Sequence, residues 1–337
     1  MSRERSIMLA SGGARPGGAS NAPGRICPVD YRYSPAVFAR ERELDAVTIY
    51  VVGGLYGNLA ALDAVERLAA AEPAPATIVF NGDFHWFDAD ASWFSAIESR
   101  VARHVALRGN VETEIARRND IGAGCGCAYP EAVDDGIVQR SNEILAELKH
   151  VAAAMPDVLD RLAGLPMHLV ARVGPLRLGI VHGDATSLAG WGFAHDRLDS
   201  ADALGGLAEV TRQSRIDVFA STHTCLAALR DFSLPAGRLS VINNGAAGMA
   251  NFSASCFGVV SRISTLPSPH PPLYGLARDG VHIDAIAINH DQSAFLDRFV
   301  AHWSASSPAY LSYYGRITTG PDYKVEQARP AARADAA

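Results

Sequence analysis

The sequence predicts an α/β fold built on a largely parallel sheet, and three observations carry that expectation. Short, continuous apolar runs alternate with segments of helical periodicity. In the first 110 residues this alternation reads strand, loop, helix, repeated, with glycine at each strand end. Polar or ionisable residues recur just past the apolar runs, where open α/β sheets bind ligands.

Residues 47–52 (VTIYVV) are apolar, β-branched and end at Gly53-Gly54, which predicts a strand buried on both faces. Asn58 then stands as an N-cap before Leu59, Leu62, Val65 and Leu68, the spacing of an amphipathic helix. Residues 77–80 form a second buried strand, followed by Asn81-Gly82-Asp83. Residues 93–101 read as helix, and 104–107 as a third strand ending at Gly109-Asn110. A long helical stretch over 135–165 is broken near Pro156. Strands at 176–181, 218–220 and 239–242 end at His182-Gly183-Asp184, Ser221-Thr222-His223 and Asn243-Asn244-Gly245. Two more strands follow at 257–263 and 281–288.

Around this core the composition shifts. Residues 1–25, rich in Gly, Ala, Ser, Arg and Pro, lack periodicity and predict a disordered tail; 323–337 read the same way. Residues 26–45 form an N-terminal extension, 46–290 the principal domain, and 291–322 a C-terminal extension packed on it through Trp303, Tyr310, Tyr313 and Tyr314. No internal repeat is present.

Of 337 residues, 48% are apolar and 20% charged, ordinary for a globular chain with a sizeable core. A net charge of −6 without a Lys/Arg cluster gives no patch for nucleic acid or an anionic membrane. Residues 7–10 are too short for a signal-peptide core, and no run reaches the ~18 apolar residues of a membrane span. A cytoplasmic protein is expected, and its five cysteines read as free thiols or metal ligands rather than disulfides. Nothing in the composition fixes an oligomeric state.

The candidate chemistry lies at the strand ends: Asp83, Asn110, His182 and His223. Carboxylate, amide oxygen and imidazole together suit a divalent Mn, Fe or Zn ion. A neighbouring glycine or small residue lets each loop turn sharply toward a shared site.

Five segments in this order resemble the calcineurin-like metallophosphoesterase superfamily. VVGGLYGNLAAL resembles its first motif, GDxHGNxxAL; NGDFHWFD the second, GDxxDRG; LRGNVE the third, GNHE or GNxD. GIVHGD resembles the fourth, and VFASTHT the fifth, GHTH. The resemblance covers residues 46 to 265. It implies a four-layer α/β/β/α sandwich of two mixed sheets flanked by helices. It also implies one or two divalent metals, two lying about 3.5–4 Å apart in the family, and hydrolysis of a small phosphorylated substrate by metal-activated water.

By that resemblance Asp83 is the bridging ligand, Asn110 and His182 serve the second metal, and His223 the first; all four are the candidate catalytic and metal residues. The departures are equally specific. Gly54 and Tyr56 stand where motif one has Asp and His, Val111 where motif three has His, and Ser221 where motif five has its first His. His85, Asp88, Asp184, Cys125, Cys127 and Cys225 are candidates to fill the gaps; thiolates would make a softer site. Tyr56, Asn58, Ser221 and His195 are candidate substrate-binding residues. Three functions stay open: a phosphoric ester hydrolase (of a diester, pyrophosphate or activated monoester) with a reduced metal centre, a non-catalytic module that binds a phosphorylated ligand or partner, and a cysteine-modified metal or redox site.

Overall fold

A computed structural model describes residues 22–41 and 43–329. Two 3₁₀ turns, Val29–Tyr31 and Pro35–Arg40, precede β1 (Glu43–Asp45) and β2 (Thr48–Val52). Then come α1 (Leu59–Ala70), β3 (Ala76–Asn81), α2 (Ala91–Val101), β4 (Val105–Leu107) and α3 (Asn110–Ala116). The middle of the chain holds α4 (Asp135–Ala152), α5 (Pro156–Gly164), β5 (His168–Val173), β6 (Leu176–Val181), α6 (His195–Leu198), α7 (Ala203–Ser214) and β7 (Val218–Ser221). Next are β8 (Ala228–Leu234), β9 (Gly237–Asn243), β10 (Gly258–Ser264), β11 (Pro272–Arg278) and β12 (Val281–Ile288). The chain closes with α8 (Gln292–His302), α9 (Pro308–Thr319) and α10 (Val325–Ala328).

The strands form two six-stranded sheets, ordered β1-β5-β6-β7-β9-β8 and β11-β12-β10-β2-β3-β4. The stretch β2-β3-β4 is parallel, as the strand–loop–helix alternation requires. Elsewhere the largely parallel expectation gives way to mixed sheets, because the hairpins β5–β6, β8–β9 and β11–β12 add antiparallel pairs. Among these, β5, β8 and β11 carry charged or polar residues within the strand (HLVARV, ALRDFSL, PLYGLAR) and give no continuous apolar run.

Strand alternation sets the layers. In β2, Ile49 and Val51 face inward to meet Leu178, Ile180, Val218 and Ala220 of the other sheet. Tyr50 and Val52 face outward, onto Leu62 and Val65 of α1 and Phe94 and Ile97 of α2. On the far side, Val170, Phe219 and Val241 pack under Leu207 of α7 and Phe38. The result is the α/β/β/α sandwich.

Within the long helical stretch the break is clean: α4 ends at Ala152, and Pro156 opens α5 at its first turn. The expected disordered tails need correction at their inner ends, while 1–21 and 330–337 lie outside the described residues. Gly24 donates to the Ala123 carbonyl (2.8 Å) and accepts from Tyr129 N (2.9 Å). Arg25 donates to the carbonyls of Pro130 and Val133, both at 2.7 Å. At the other end Tyr323 is buried, its hydroxyl donating to Ala227 O at 2.9 Å, and Arg230 donates to the carbonyls of Gln327 (2.8 Å) and Arg329 (2.9 Å). Low-complexity composition is overridden here by docking onto loops far along the chain. Trp303 donates to Phe87 O (2.8 Å), and Tyr313 packs edge-on against Phe87, seating the C-terminal helices on the domain.

Candidate metal centre

Four loops leave the carboxyl ends of β3, β4, β6 and β7 and bring one polar side chain each to a common point. The approach depends on two glycines. A Cβ on Gly82, whose φ is +78°, would lie 2.4 Å from Gly109 N. A Cβ on Gly109 would lie 2.3 Å from Asp83 Oδ1. Asp83 itself adopts φ +52°, turning its carboxylate back under the sheet edge. Backbone bonds from Thr222 N (3.1 Å) and His223 N (2.9 Å) to the His182 carbonyl tie the β6 and β7 loops together.

His182 Nε2 lies 3.1 Å from Asn110 Oδ1, 3.1 Å from His223 Nδ1 and 3.4 Å from Asp83 Oδ1. The candidate ligand atoms of Asp83, His182 and His223 all lie within 4.8 Å of one another, a buried group able to hold a metal ion. The protons follow from the outer partners. His182 Nδ1 faces the Asn81 carbonyl (2.8 Å) and must donate, which leaves Nε2 as a lone pair in the neutral ring. His223 Nε2 donates to the Cys127 carbonyl (3.0 Å), freeing Nδ1 in the same way. Asn110 directs its amide NH₂ to Cys125 O (2.9 Å) and Cys127 Sγ (3.4 Å), so its oxygen faces inward.

Four acceptors therefore meet with no donor of their own between them. Without a cation one proton must sit there, and the charges agree. Burial alone lowers His182, but Asp83 outweighs it and raises the imidazole. Burial raises Asp83, and His182 more than reverses this. Burial, then His182, push His223 down to about 3, so it stays neutral. A divalent cation fits the same acceptors and replaces that proton.

The residues at the substituted motif positions are fully packed. Tyr56 places its ring over Gly54, where any Cβ would meet the ring at 2.9 Å, and its hydroxyl lies 2.9 Å from Cys225 Sγ. Burial first, then Cys225 and Asp83, raise the Tyr56 phenol well above its ordinary range, so it offers no phenolate. Val111 is buried, and the Ser221 hydroxyl is buried without a hydrogen-bond partner.

Several expected contributors are not part of the group. His85 is turned toward α2, bonded to Asp88 (2.6 Å) and Glu98 (3.1 Å) and stacked on Phe94 at 3.7 Å. Burial alone would lower it, but those carboxylates push it up to about 9, and a charged imidazole is no ligand. Asp184 spends both oxygens on its own loop, accepting from Thr186 N, Ser187 N and Gly192 N. No cysteine joins the group among the described residues. Cys125 and Cys127 contribute carbonyls instead, and burial raises the thiols of Cys127 and Cys225. Asn58 caps α1 and donates to Gly248 O (2.8 Å); His195 lies tilted against Tyr323 at 4.9 Å. For His85, Asp184 and Asn58, nearer partners already take the polar atoms.

Two residues stand out beyond those candidates. Glu112, fully buried in the first turn of α3, accepts from Gly109 N (2.8 Å), Asp83 N (2.8 Å), Phe84 N (3.0 Å) and His85 N (3.4 Å). It clamps the Asp83 loop to the Asn110 loop, and its position after Gly109-Asn110 was the available signal. Trp191 donates to Cys127 O (3.1 Å) and lies edge-on 5.4 Å from His223. No sequence signal marks it.

This two-sheet α/β/β/α architecture is the one that the motif resemblance implied, and Gly54, Tyr56, Val111 and Ser221 are the positions where the chain departs from those motifs. No family model and no curated protein matches the sequence. Among solved structures, the chain is similar in fold to a hypothetical protein from Pyrococcus horikoshii OT3. The TM-score is 0.54 at 15% identity, over 82% of this chain and 100% of that one. It is also similar to a metallophosphoesterase from Sphaerobacter thermophilus, with a TM-score of 0.49 at 14% identity over 81% and 99%. Among the described residues no helix is long and apolar enough to cross a membrane.

Proposed function

We propose that the chain is a cytoplasmic, metal-dependent hydrolase of a phosphoric ester, working with one cation held by Asp83, Asn110, His182 and His223. The observation that supports this is the meeting of four potential ligand atoms, from Asp83, Asn110, His182 and His223, at one buried point. Their nitrogen and oxygen character suits Mn, Fe or Zn. When bound, such an ion supplies Lewis acidity toward a phosphoryl oxygen and acidifies water.

The chain's own groups define the rest. Asn81 O and Cys127 O orient the two imidazoles, and Glu112 fixes the loop that carries Asp83. Val111 has no proton to give a departing group, so the reading favours good leaving groups: a diester, a pyrophosphate or an activated aryl ester.

One observation favours a second reading, a non-catalytic module for a phosphorylated ligand: Tyr56 and Cys225 close over the position of the missing motif-one ligands. Metal analysis of the purified full chain, followed by turnover of bis-p-nitrophenyl phosphate, separates the two. One tightly bound ion, lost in Asp83→Ala and His182→Ala together with turnover, is the expected outcome. No ion, and no turnover with added Mn, overturns the hydrolase and leaves the binding module. Metal loss in Cys125→Ser would instead place a thiolate in the site.

A further inference from the structure

A phosphoryl group needs positive charge on its oxygens, and a centre reduced to one cation supplies less of it. The structure brings a cation to the same region from an unexpected direction. Arg316, near the end of α9, reaches over the β7 loop and donates Nη2 to the carbonyl of Cys225 and Nε to that of Ala250 (3.3 Å). Cys225 is two residues past His223, and its sulfur lies 2.9 Å from Tyr56 Oη, beside Gly54. Arg316 therefore stands next to the positions that motif one has vacated.

Three features mark Arg316 as more than a structural tie. Among the described residues it is half-buried and pairs with no carboxylate, whereas Arg100, Arg117, Arg177, Arg230 and Arg262 all do. Its guanidinium donates to two carbonyls through Nε and Nη2 and also lies against the Cys225 thiol, which still leaves part of its five N–H groups over. A half-buried guanidinium with spare donors is matched by an anion's oxygens. Independently, the wall beside it holds a second idle donor. Trp86 Nε1 is buried with no partner, and its ring packs edge-on at 6.3 Å against Tyr313, one turn before Arg316 on α9.

We propose that Arg316 is an anion-binding residue beside this site, holding a phosphoryl oxygen across from the Asp83–His182–His223 group. The inference rests on the hydrolase reading for its substrate but is tested by binding alone. The role belongs to the C-terminal extension, so α9 completes the site instead of merely covering the domain.

The test titrates inorganic phosphate calorimetrically into the full chain, as purified, for wild type, Arg316→Lys and Arg316→Met. Losing a charge-assisted bond to an anion weakens binding about tenfold or more. Arg316→Met should show that loss and Arg316→Lys part of it, with metal content unchanged. Equal affinity in all three, or no binding by wild type at millimolar phosphate, overturns the proposal. Because Arg316 also ties α9 to two carbonyls, a second measurement avoids mutation: phosphate should protect Arg316 of the wild-type chain from phenylglyoxal, read by mass spectrometry. Unchanged labelling overturns it equally. Phosphate binding that needs Arg316 in a chain without metal keeps this inference and sinks the hydrolase. Metal and turnover that ignore Arg316 do the reverse.

Discussion

Glu112 offers the sharpest test of how the site is held. Replacing it by Ala leaves the N–H groups of Gly109, Asp83 and Phe84 inside the fold without the acceptor they meet at 2.8–3.0 Å. Each orphaned buried donor costs about 1–3 kcal/mol. The loss is partly offset, because burial, with Asp83 second, already raises the Glu112 carboxyl, so the folded state holds this charge at some cost. Three donors at about 1.5 kcal/mol each, partly offset by the relieved charge, give a destabilisation of about 3–4 kcal/mol. At roughly 2 °C per kcal/mol for a chain of this size, Tm falls by about 6–8 °C. Glu112→Gln does little better, since its NH₂ must face N–H groups that need an acceptor. The loosened loops also weaken metal affinity, about 10- to 100-fold for an outer partner of this kind. Thermal melts by circular dichroism and competition with a chelator read the two effects. A Glu112→Ala chain that melts within 2 °C of wild type, to within roughly 1 kcal/mol, and holds metal as tightly refutes the clamp.

Two other perturbations probe what has changed and what anchors the opposite end. Gly54→Asp alone should lower Tm, because its Cβ meets the Tyr56 ring at a φ of +64°. Adding Tyr56→His removes the ring and supplies both motif-one ligand types, so the metal content should rise from one ion per chain toward two by elemental analysis; a ratio that stays at one disproves the plug. Beyond α1, Glu72 receives Arg262 Nε (2.6 Å) and Nη2 (2.9 Å) together with the Tyr50 hydroxyl (2.5 Å), all with buried side chains. Burial raises Glu72, but Arg262 and Tyr50 outweigh it and lower the carboxyl below its usual range. Its stabilising contribution is therefore complete above the ordinary carboxylate pKa and fades as pH falls through the lowered one. Arg262→Met should cost about 3–5 kcal/mol at pH 7 and flatten the acid limb of a Tm–pH curve below roughly pH 4.5; an unchanged limb contradicts the assignment.

The four convergent side chains were legible because each follows an apolar strand and stands beside a small residue, features written within a few positions of one another. The same holds for Asn58, whose side chain accepts from Ala61 N at 2.9 Å as an N-cap should. What stayed hidden was settled by partners far along the chain. His85 looked available two residues after Asp83, yet an extended loop sends it to Glu98 instead. The cysteines suggested thiolates, while the fold uses the carbonyls of Cys125 and Cys127. Arg316 touches Cys225 across 91 positions of sequence, and no local pattern marks such a contact.

The N-terminal segment has a consequence for how the chain assembles. Its anchors are late arrivals: Arg25 waits for Pro130, 105 residues on, and Tyr33 for the Asp184 carbonyl, 151 residues on. During synthesis the first described residues emerge long before the loops they lace together. Closing such distant contacts is entropically slow, so the earliest-made segment is fastened last. Those same loops carry Cys127 and Trp191, so the roof over His223 is laced to a segment made well before it.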